Sequence, residues 1–172
     1  MIPAFCPLVL TVRFKLRSHT PEDLESLYQI DQLCYEPEIA YSRPEIKAYL
    51  RFPGAECVIS EIGRGKIAGF CLAAYDKQLG YVITMDVAPR YRRQGVAQAL
   101  LEEIERRLAV QRVREVWLET ATDNEPAIAF WQKHGYRRGG VRKGYYPGGR
   151  DAYTMRKALS SPSRGATVAR ET

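Results

Sequence analysis

A strand, a basic turn and a helix follow one another in the middle of this chain, and they restrict the fold more than any other segment. The apolar, β-branched run Tyr81–Val87 is bounded by Gly80 and Pro89, a pattern typical of a buried strand. From Val96 to Leu108 apolar residues recur at helical spacing, and charged residues fill the other face. Val113–Thr120 is predicted as the next strand, so the chain contains a strand–helix–strand unit. Such a unit requires two parallel strands joined by a right-handed crossover.

The segments before this unit predict antiparallel neighbours. Cys57–Ile62 and Lys66–Tyr75 are apolar runs joined by Gly63-Arg64-Gly65, which indicates a tight hairpin. We therefore expect a mixed, largely antiparallel sheet. The other predicted elements are strands at Val12–Leu16, Tyr136–Arg142 and Ala152–Lys157, and helices from Thr20 to about Cys34, from Arg43 to Leu50, and from Asp123 or Asn124 to just before Gly135.

These elements predict one α/β (α+β) domain between residues 12 and 159, with a seven-stranded sheet and about four helices. A chain of 172 residues is long enough for one well-buried domain and too short for two of ordinary size. We expect residues 1–11 to form an N-terminal tail. Residues 160–172 lack apolar content, so we expect a disordered C-terminal tail.

Composition excludes several classes of protein. No segment reads as a membrane span, and Cys6, Cys34, Cys57 and Cys71 lack the spacing of a zinc site or a disulfide framework. We therefore expect free thiols, no bound metal, no membrane partner and a reducing, cytoplasmic location. The net charge of +6 favours an anionic partner, such as a nucleotide-bearing cofactor, a ribosomal surface or nucleic acid, without choosing among them.

The turn between the central strand and helix predicts an anion site. The first N–H groups of a helix have no carbonyl partners and carry a partial positive charge, and Gly95 lets an oxyanion approach them. Arg90, Arg92 and Arg93 add full charges. The turn has no Gly-Lys-Ser/Thr and a single glycine, so it is neither a P-loop nor a dinucleotide-binding turn.

This turn resembles motif A of the GNAT acetyltransferase family, Gln/Arg-x-x-Gly-x-Gly/Ala, which holds the pyrophosphate of acetyl-coenzyme A. The resemblance continues downstream and is closest to the N-terminal protein acetyltransferases of the ribosomal-protein-alanine type. It implies acetyl-coenzyme A as cosubstrate. The matching motif residues are Arg92, Arg93, Gln94, Gly95, Val96 and Ala97; the later matches are Leu118-Glu119, Asn124, Ala127–Trp131, Gly135-Tyr136, Tyr145-Tyr146-Pro147, Asp151-Ala152 and Met155.

The resemblance also implies how the reaction is catalysed. Backbone N–H groups of Met85, Asp86 and Val87 would stabilise the oxyanion that forms during acetyl transfer. Glu119 would act as the base, directly or through a water molecule, with Tyr81 as the second candidate.

The leaving thiolate and the coenzyme arm involve three further residues. Trp131 stands where relatives usually have a tyrosine that protonates the thiolate, and an indole N–H cannot serve as that acid. Water, Tyr145 or Tyr146 would assist instead. Asn124 would bind the coenzyme arm, which Trp131 would contact, although helix capping and core packing explain these two residues equally well.

The acceptor is predicted from the same resemblance and from amine chemistry. A protein α-amino group titrates near ~8 and a lysine near ~10.4, so selecting the neutral amine costs lysine roughly 3 kcal/mol more. We favour the N-terminus of a protein or peptide, such as a ribosomal protein, entering past Tyr35, Glu36, Tyr145 and Tyr146.

Two other hypotheses stay open. One is a polyamine or aminoglycoside acetyltransferase, for which an acidic, closed pocket would be expected instead of an open slot. The other is a non-catalytic coenzyme- or nucleic-acid-binding module, although nucleic acid is the less favoured partner. A homodimer is also left open.

Overall fold

The computed structural model describes residues 13–160. The predicted N-terminal tail, and the predicted C-terminal tail beyond Ser160, lie outside the described residues. In the described range the chain forms seven strands and four α-helices. The strands are β1 (Lys15–Ser18), β2 (Ala55–Ile62), β3 (Lys66–Asp76), β4 (Leu79–Val87), β5 (Glu115–Ala121), β6 (Arg137–Tyr146) and β7 (Arg150–Ala158). The helices are α1 (Leu24–Cys34), α2 (Arg43–Leu50), α3 (Val96–Val110) and α4 (Glu125–Lys133).

All seven strands join one mixed sheet in the order β1-β2-β3-β4-β5-β7-β6. The β4–β5 pair is parallel, and the neighbouring strands of every other pair run antiparallel. The α/β prediction of seven strands and four helices is therefore confirmed.

The sheet has two covered faces. On one face α3 buries Leu100, Leu101, Ile104 and Leu108 completely or nearly so, in the core cluster that also contains Trp131 of α4. On the other face α1 and α2 bury Leu27 and Ile46, among others, against β2 and β3. Because α1 and α2 pack on β2, β3 and β4, the same face of the sheet beyond β4 is free to form a site.

Several predicted boundaries differ from the structure by one or two residues, and two strand boundaries differ by more. Strand β1 begins at Lys15 and not at Val12, which lies outside the described residues. The second correction concerns β6, predicted to end at Arg142, with Tyr145 and Tyr146 in a following loop. It continues to Tyr146, because register shifts in its pairing with β7 accommodate extra residues around its glycines.

We expect Gly69→Ala to lower the free energy of unfolding by about 1–3 kcal/mol. A Cβ at Gly69 would lie 2.4 Å from the carbonyl oxygen of Asp86 in β4, so the two strands would have to separate. Urea denaturation measures the effect. Gly63→Ala is the matched control, since its Cβ would meet no described atom within 4 Å, and equal stability losses in the two variants would contradict this account.

Candidate active site

The site begins where β4 and β5 stop pairing. In the described residues these parallel strands pair over Leu79–Tyr81 and Glu115–Trp117, yet β4 continues to Val87 and β5 to Ala121. A gap therefore opens between them, referred to below as the β4–β5 gap. The register between β3 and β4 also shifts by one residue, which leaves Ile83 as the extra residue of a β-bulge in β4. The sequence did not indicate this bulge.

Four polar side chains meet at the start of the β4–β5 gap. Tyr81 donates a hydrogen bond from its hydroxyl to Oε2 of Glu119. Arg142 Nη1 lies 2.9 Å from Glu119 Oε1, and the Tyr145 hydroxyl lies 3.4 Å from that of Tyr81. The Glu119 side chain is only 7% exposed. The structure thus brings together the three predicted catalytic residues Glu119, Tyr81 and Tyr145.

Burial and the hydrogen bond to Glu119 raise the pKa of Tyr81 far above its ordinary value. A phenolate beside that carboxylate would put two negative charges side by side in a half-buried site. Tyr81 therefore keeps its proton and acts as a hydrogen-bond donor to Glu119. Of the two candidate bases, this geometry favours Glu119.

The turn before α3 forms a second part of the site. Arg93 and Gly95 both have positive φ, 59° and 83°, so the backbone turns sharply at two positions before Val96 begins the helix. A Cβ at Gly95 would have no described heavy atom within 4 Å, so open space faces this backbone. The first N–H groups of α3, including those of Val96 and Ala97, have no partner inside the helix. These features fit a phosphate-bearing ligand.

The side chains of this turn have different roles. Arg92 donates from Nε to the carbonyl oxygen of Val87, 3.0 Å away, and lies 3.4 Å from the Cys34 sulfur. It therefore ties the turn to β4. The Gln94 side chain donates a hydrogen bond to the Arg90 carbonyl oxygen and so stabilises the turn. Arg93 is exposed, which leaves its charge available to an anion.

The residues predicted to hold the coenzyme arm lie at α4. Asn124 caps this helix, its side-chain oxygen accepting from the Ala127 N–H at 3.2 Å. Trp131 is only 7% exposed and packs edge-on against Phe130 and Tyr136. Both contacts are the structural roles that the sequence also allowed, so a coenzyme contact for either residue stays a prediction.

Met85, Asp86 and Val87 lie at the end of β4 beyond its pairing with β5. The Asp86 side chain is buried, accepts from the Thr84 hydroxyl at 2.9 Å, and has no partner for Oδ2 in the part of the chain that the structure describes. Burial, together with the nearby Asp31 carboxylate, raises the pKa of Asp86 to about 7.

The predicted acceptor entrance is assembled from the segment that follows α1 and from the end of β6. The Tyr35 hydroxyl lies 3.2 Å from that of Thr84, while Glu36 is exposed and pairs with Arg150 at 3.1 Å. The rings of Tyr145 and Tyr146 meet edge to face with centroids 4.9 Å apart. Any substrate ammonium at Glu36 would therefore compete with Arg150.

A cavity of about 530 Å³ opens directly beside Tyr81 and Glu119. Sequence reasoning missed most of it, and it also missed Arg142 as the partner of Glu119. Neither had a local signal, because the cavity walls come from four separate segments and the position of Arg142 depends on the irregular register of β6. The cavity-lining residues are Tyr41, Tyr49, Phe52, Ala74, Tyr75, Asp76, Leu79, Gly80, Tyr81, Ile83, Trp117, Glu119 and Tyr145.

The described range 13–160 contains neither a metal-binding cluster nor a membrane-spanning helix. No group of three or more His, Cys, Asp or Glu side chains there could hold a metal ion. No helix there is long and apolar enough to cross a membrane.

The open β4–β5 gap and the unpaired N–H groups at the start of α3 form a site that fits a phosphate-bearing cosubstrate. The model of the acetyltransferase (GNAT) family matches residues 24–136, and the chain belongs to this family. Members use acetyl-coenzyme A, and the protein is an acetyl-coenzyme A-dependent N-acetyltransferase.

Individual relatives agree with this assignment. An N-alpha-acetyltransferase of Saccharolobus solfataricus is 38% identical over 159 residues, covering 85% of this chain and 93% of the relative. The alanine N-acetyltransferase of ribosomal protein bS18 from Escherichia coli is 29% identical over 144 residues, covering 80% of this chain and 93% of that protein. The crystal structure of the Escherichia coli ribosomal-protein-S18-alanine N-acetyltransferase superposes with a TM-score of 0.79 at 25% identity, over 90% of this chain and 99% of that one.

One relative is much longer. An uncharacterized protein of Mycobacterium leprae, ML0378, is 32% identical over 145 residues, which is 80% of this chain but only 39% of its own length.

We expect Gly95→Glu to abolish coenzyme A binding measured by calorimetry, because the new carboxylate would occupy the space in front of the α3 amides and repel a diphosphate. Gly65→Glu is the matched control. Gly65 has nearly the same φ, 80°, and equally open surroundings in the β2–β3 hairpin. Unchanged affinity in the Gly95 variant would refute the phosphate site.

We expect Asp86→Asn to stabilise the protein more at pH 8 than at pH 5. The folded-state pKa of about 7 lies above the ordinary value of 3.8, so the wild-type protein loses stability as the pH rises between these values. Asparagine still accepts from Thr84 but carries no charge. Thermal midpoints at the two pH values measure the difference, and a gap that does not widen toward pH 8 would contradict the buried-charge account.

Proposed function

We propose that the protein transfers the acetyl group of acetyl-coenzyme A to the N-terminal α-amino group of a protein or peptide. The observation that carries the proposal is the position of Glu119, which lies in the β4–β5 gap with its carboxylate facing the open cavity. Acetyl-coenzyme A supplies the activated acyl group. The residues of this chain have to bind it, receive the amine and remove a proton.

Coenzyme binding is assigned to the turn before α3 and to the end of β4. The N–H groups at Gly95, Val96 and Ala97 and the exposed Arg93 would hold the diphosphate. Backbone N–H groups of 85–87, beyond the last β4–β5 pair, would stabilise negative charge on the thioester oxygen. Such donors are already in place before the reaction, so no reorganisation energy is needed.

Amine activation is assigned to Glu119. Arg142 and Tyr81 each occupy one lone pair of its carboxylate, which leaves further lone pairs to accept a proton from the amine or from an intervening water. The same two contacts hold the carboxylate in one orientation. An α-amino group needs only a modest base, since its pKa is near ~8.

The shape and charge of the cavity favour a peptide over a polyamine or an aminoglycoside. Among the described residues, only two carboxylates line the cavity, Asp76 and Glu119, and Glu119 is already paired with Arg142. Aromatic and aliphatic side chains form most of the remaining wall. A polycation would need an acidic site, whereas a peptide with apolar side chains fits this one.

Location and partners follow from the same proposal. Cys34, Cys57 and Cys71 are free thiols, which supports the predicted reducing cytoplasm. The similarity to the Escherichia coli enzyme supports testing a ribosomal protein N-terminus among the acceptors. The homodimer stays a prediction.

Mass spectrometry of a panel of amines after incubation with acetyl-coenzyme A tests the function. The panel contains peptides with free N-termini, the same peptides with blocked N-termini and a free lysine, and a polyamine. We expect a single acetyl group on the α-amino nitrogen. Acetylation confined to lysine side chains or to the polyamine would overturn the proposal.

We expect Glu119→Gln to lower turnover roughly 10²-fold or more while leaving coenzyme affinity unchanged. The pH–rate profile should also change, because the remaining rate then follows only deprotonation of the amine. Glu115→Gln, on the same strand and face, is the control and should retain activity. A profile that is unaltered in the Glu119 variant would exclude it as the base.

A further inference from the structure

The cavity extends well beyond the reacting pair. Its walls come from α2 and the segments flanking it, from the β3–β4 hairpin, from β5 and from β6. We name the part formed by Tyr49, Phe52, Tyr75, Leu79 and Trp117 the aromatic slot. At about 530 Å³ the whole cavity lies within the range of about 300–1,000 Å³ that is typical of ligand sites. A terminal amine with a small side chain would leave most of this volume unfilled.

Two apolar side chains at the rim of the aromatic slot are exposed to solvent. Phe52 is 58% exposed and Leu79 is 57% exposed, and both line the same cavity. Single exposed apolar residues are ordinary, but two of them facing one concave aromatic surface mark a place where a partner buries apolar area. A side chain between Phe52 and Leu79 would remove both from water.

The charges around the aromatic slot disfavour an acidic or a basic side chain of the acceptor in this place. Asp76, exposed at the end of β3, is the one charged residue besides Glu119 among the described residues that line the cavity. An acidic side chain would meet these carboxylates without a lysine or arginine to balance it. A basic side chain would find only an exposed Asp76, a weak partner in water.

The aromatic slot lies within reach of an acceptor bound at Glu119. Leu79 precedes Tyr81 by two residues on β4, a distance of about 7 Å along a strand. An extended peptide advances about 3.3–3.6 Å per residue. Side chains of the first two residues of an acceptor are therefore the ones that can enter the slot.

We propose that the aromatic slot binds a large apolar side chain carried by the first or second residue of the acceptor peptide, and so selects acceptors. This inference rests on the N-terminal acetyltransferase activity proposed above. It names the substrate class for that activity: N-termini with leucine, isoleucine, methionine or phenylalanine in one of the first two positions.

Steady-state kinetics with a peptide series test the proposal. The reference peptide begins with two alanines, and the test peptides carry leucine, lysine or glutamate at position 1 or at position 2. We expect kcat/KM for one of the leucine peptides to exceed that of the reference by roughly tenfold or more. The lysine and glutamate peptides should not exceed the reference.

Variants of the slot residues test whether the preference for leucine peptides arises in the aromatic slot. Leu79→Ser should lower kcat/KM for the preferred leucine peptide roughly tenfold, toward the reference value, and should lower that of the reference peptide much less. Leu33→Ser is the matched control, because Leu33 is 63% exposed on α1 and does not line the cavity, so both peptides should react as in the wild type. Phe52→Ser repeats the test on the opposite wall if Leu79→Ser has a lower thermal midpoint.

The outcomes separate this proposal from the proposed function. Equal kcat/KM for leucine and alanine peptides would overturn the slot while leaving N-terminal acetylation intact. Acetylation of no peptide at all would overturn both. Equal rates together with a change of sedimentation in Leu79→Ser would assign the slot to contact with a second copy of the chain, which also overturns the proposal.

Discussion

The short parallel pairing of β4 with β5 is the constraint on which the rest of the site depends. Three residues of each strand pair, and the two strands then continue without each other. Backbone groups that lose a partner inside a protein are costly unless something else satisfies them. In this fold the part of β4 beyond Tyr81 has no β5 partner, and the first N–H groups of α3 have no partner inside the helix. That arrangement suits an anionic, hydrogen-bonding ligand better than it suits an empty interior.

Two carboxylates near the β4–β5 gap, Glu119 and Asp86, have different surroundings. Glu119 has a cation and a phenol on its two oxygens, which hold it in a fixed orientation beside the open cavity. Asp86 is buried beneath the gap with one hydroxyl donor, and Asp31 nearby adds a like charge, so its ionised form is disfavoured near neutral pH. Glu119, which lines the cavity, is therefore the carboxylate to which we assign proton removal. Asp86 accepts a hydrogen bond from Thr84 on the same strand, and the Thr84 hydroxyl lies 3.2 Å from that of Tyr35.

Several arginines make contacts within the protein that hold parts of the site together. Arg92 ties the α3 turn to β4, Arg142 holds Glu119 and Arg150 bridges Glu36 and Asp123. Arg93 differs from these arginines because it is exposed and has a positive φ, 59°.

The order of elements and the α3 turn could be read from the sequence, because both depend on interactions between near neighbours. Apolar periodicity predicted the strands and helices, and Gly95 before an amphipathic helix indicated the proposed phosphate site. What only the tertiary structure decided is where distant segments meet: the divergence of β4 from β5, the bulge at Ile83, the pairing of Arg142 with Glu119, and the cavity between α2 and β5. The register shifts in β6 that place Arg142 arise from pairing with β7. Such contacts join residues far apart in the chain, and no local pattern encodes the register that brings them together.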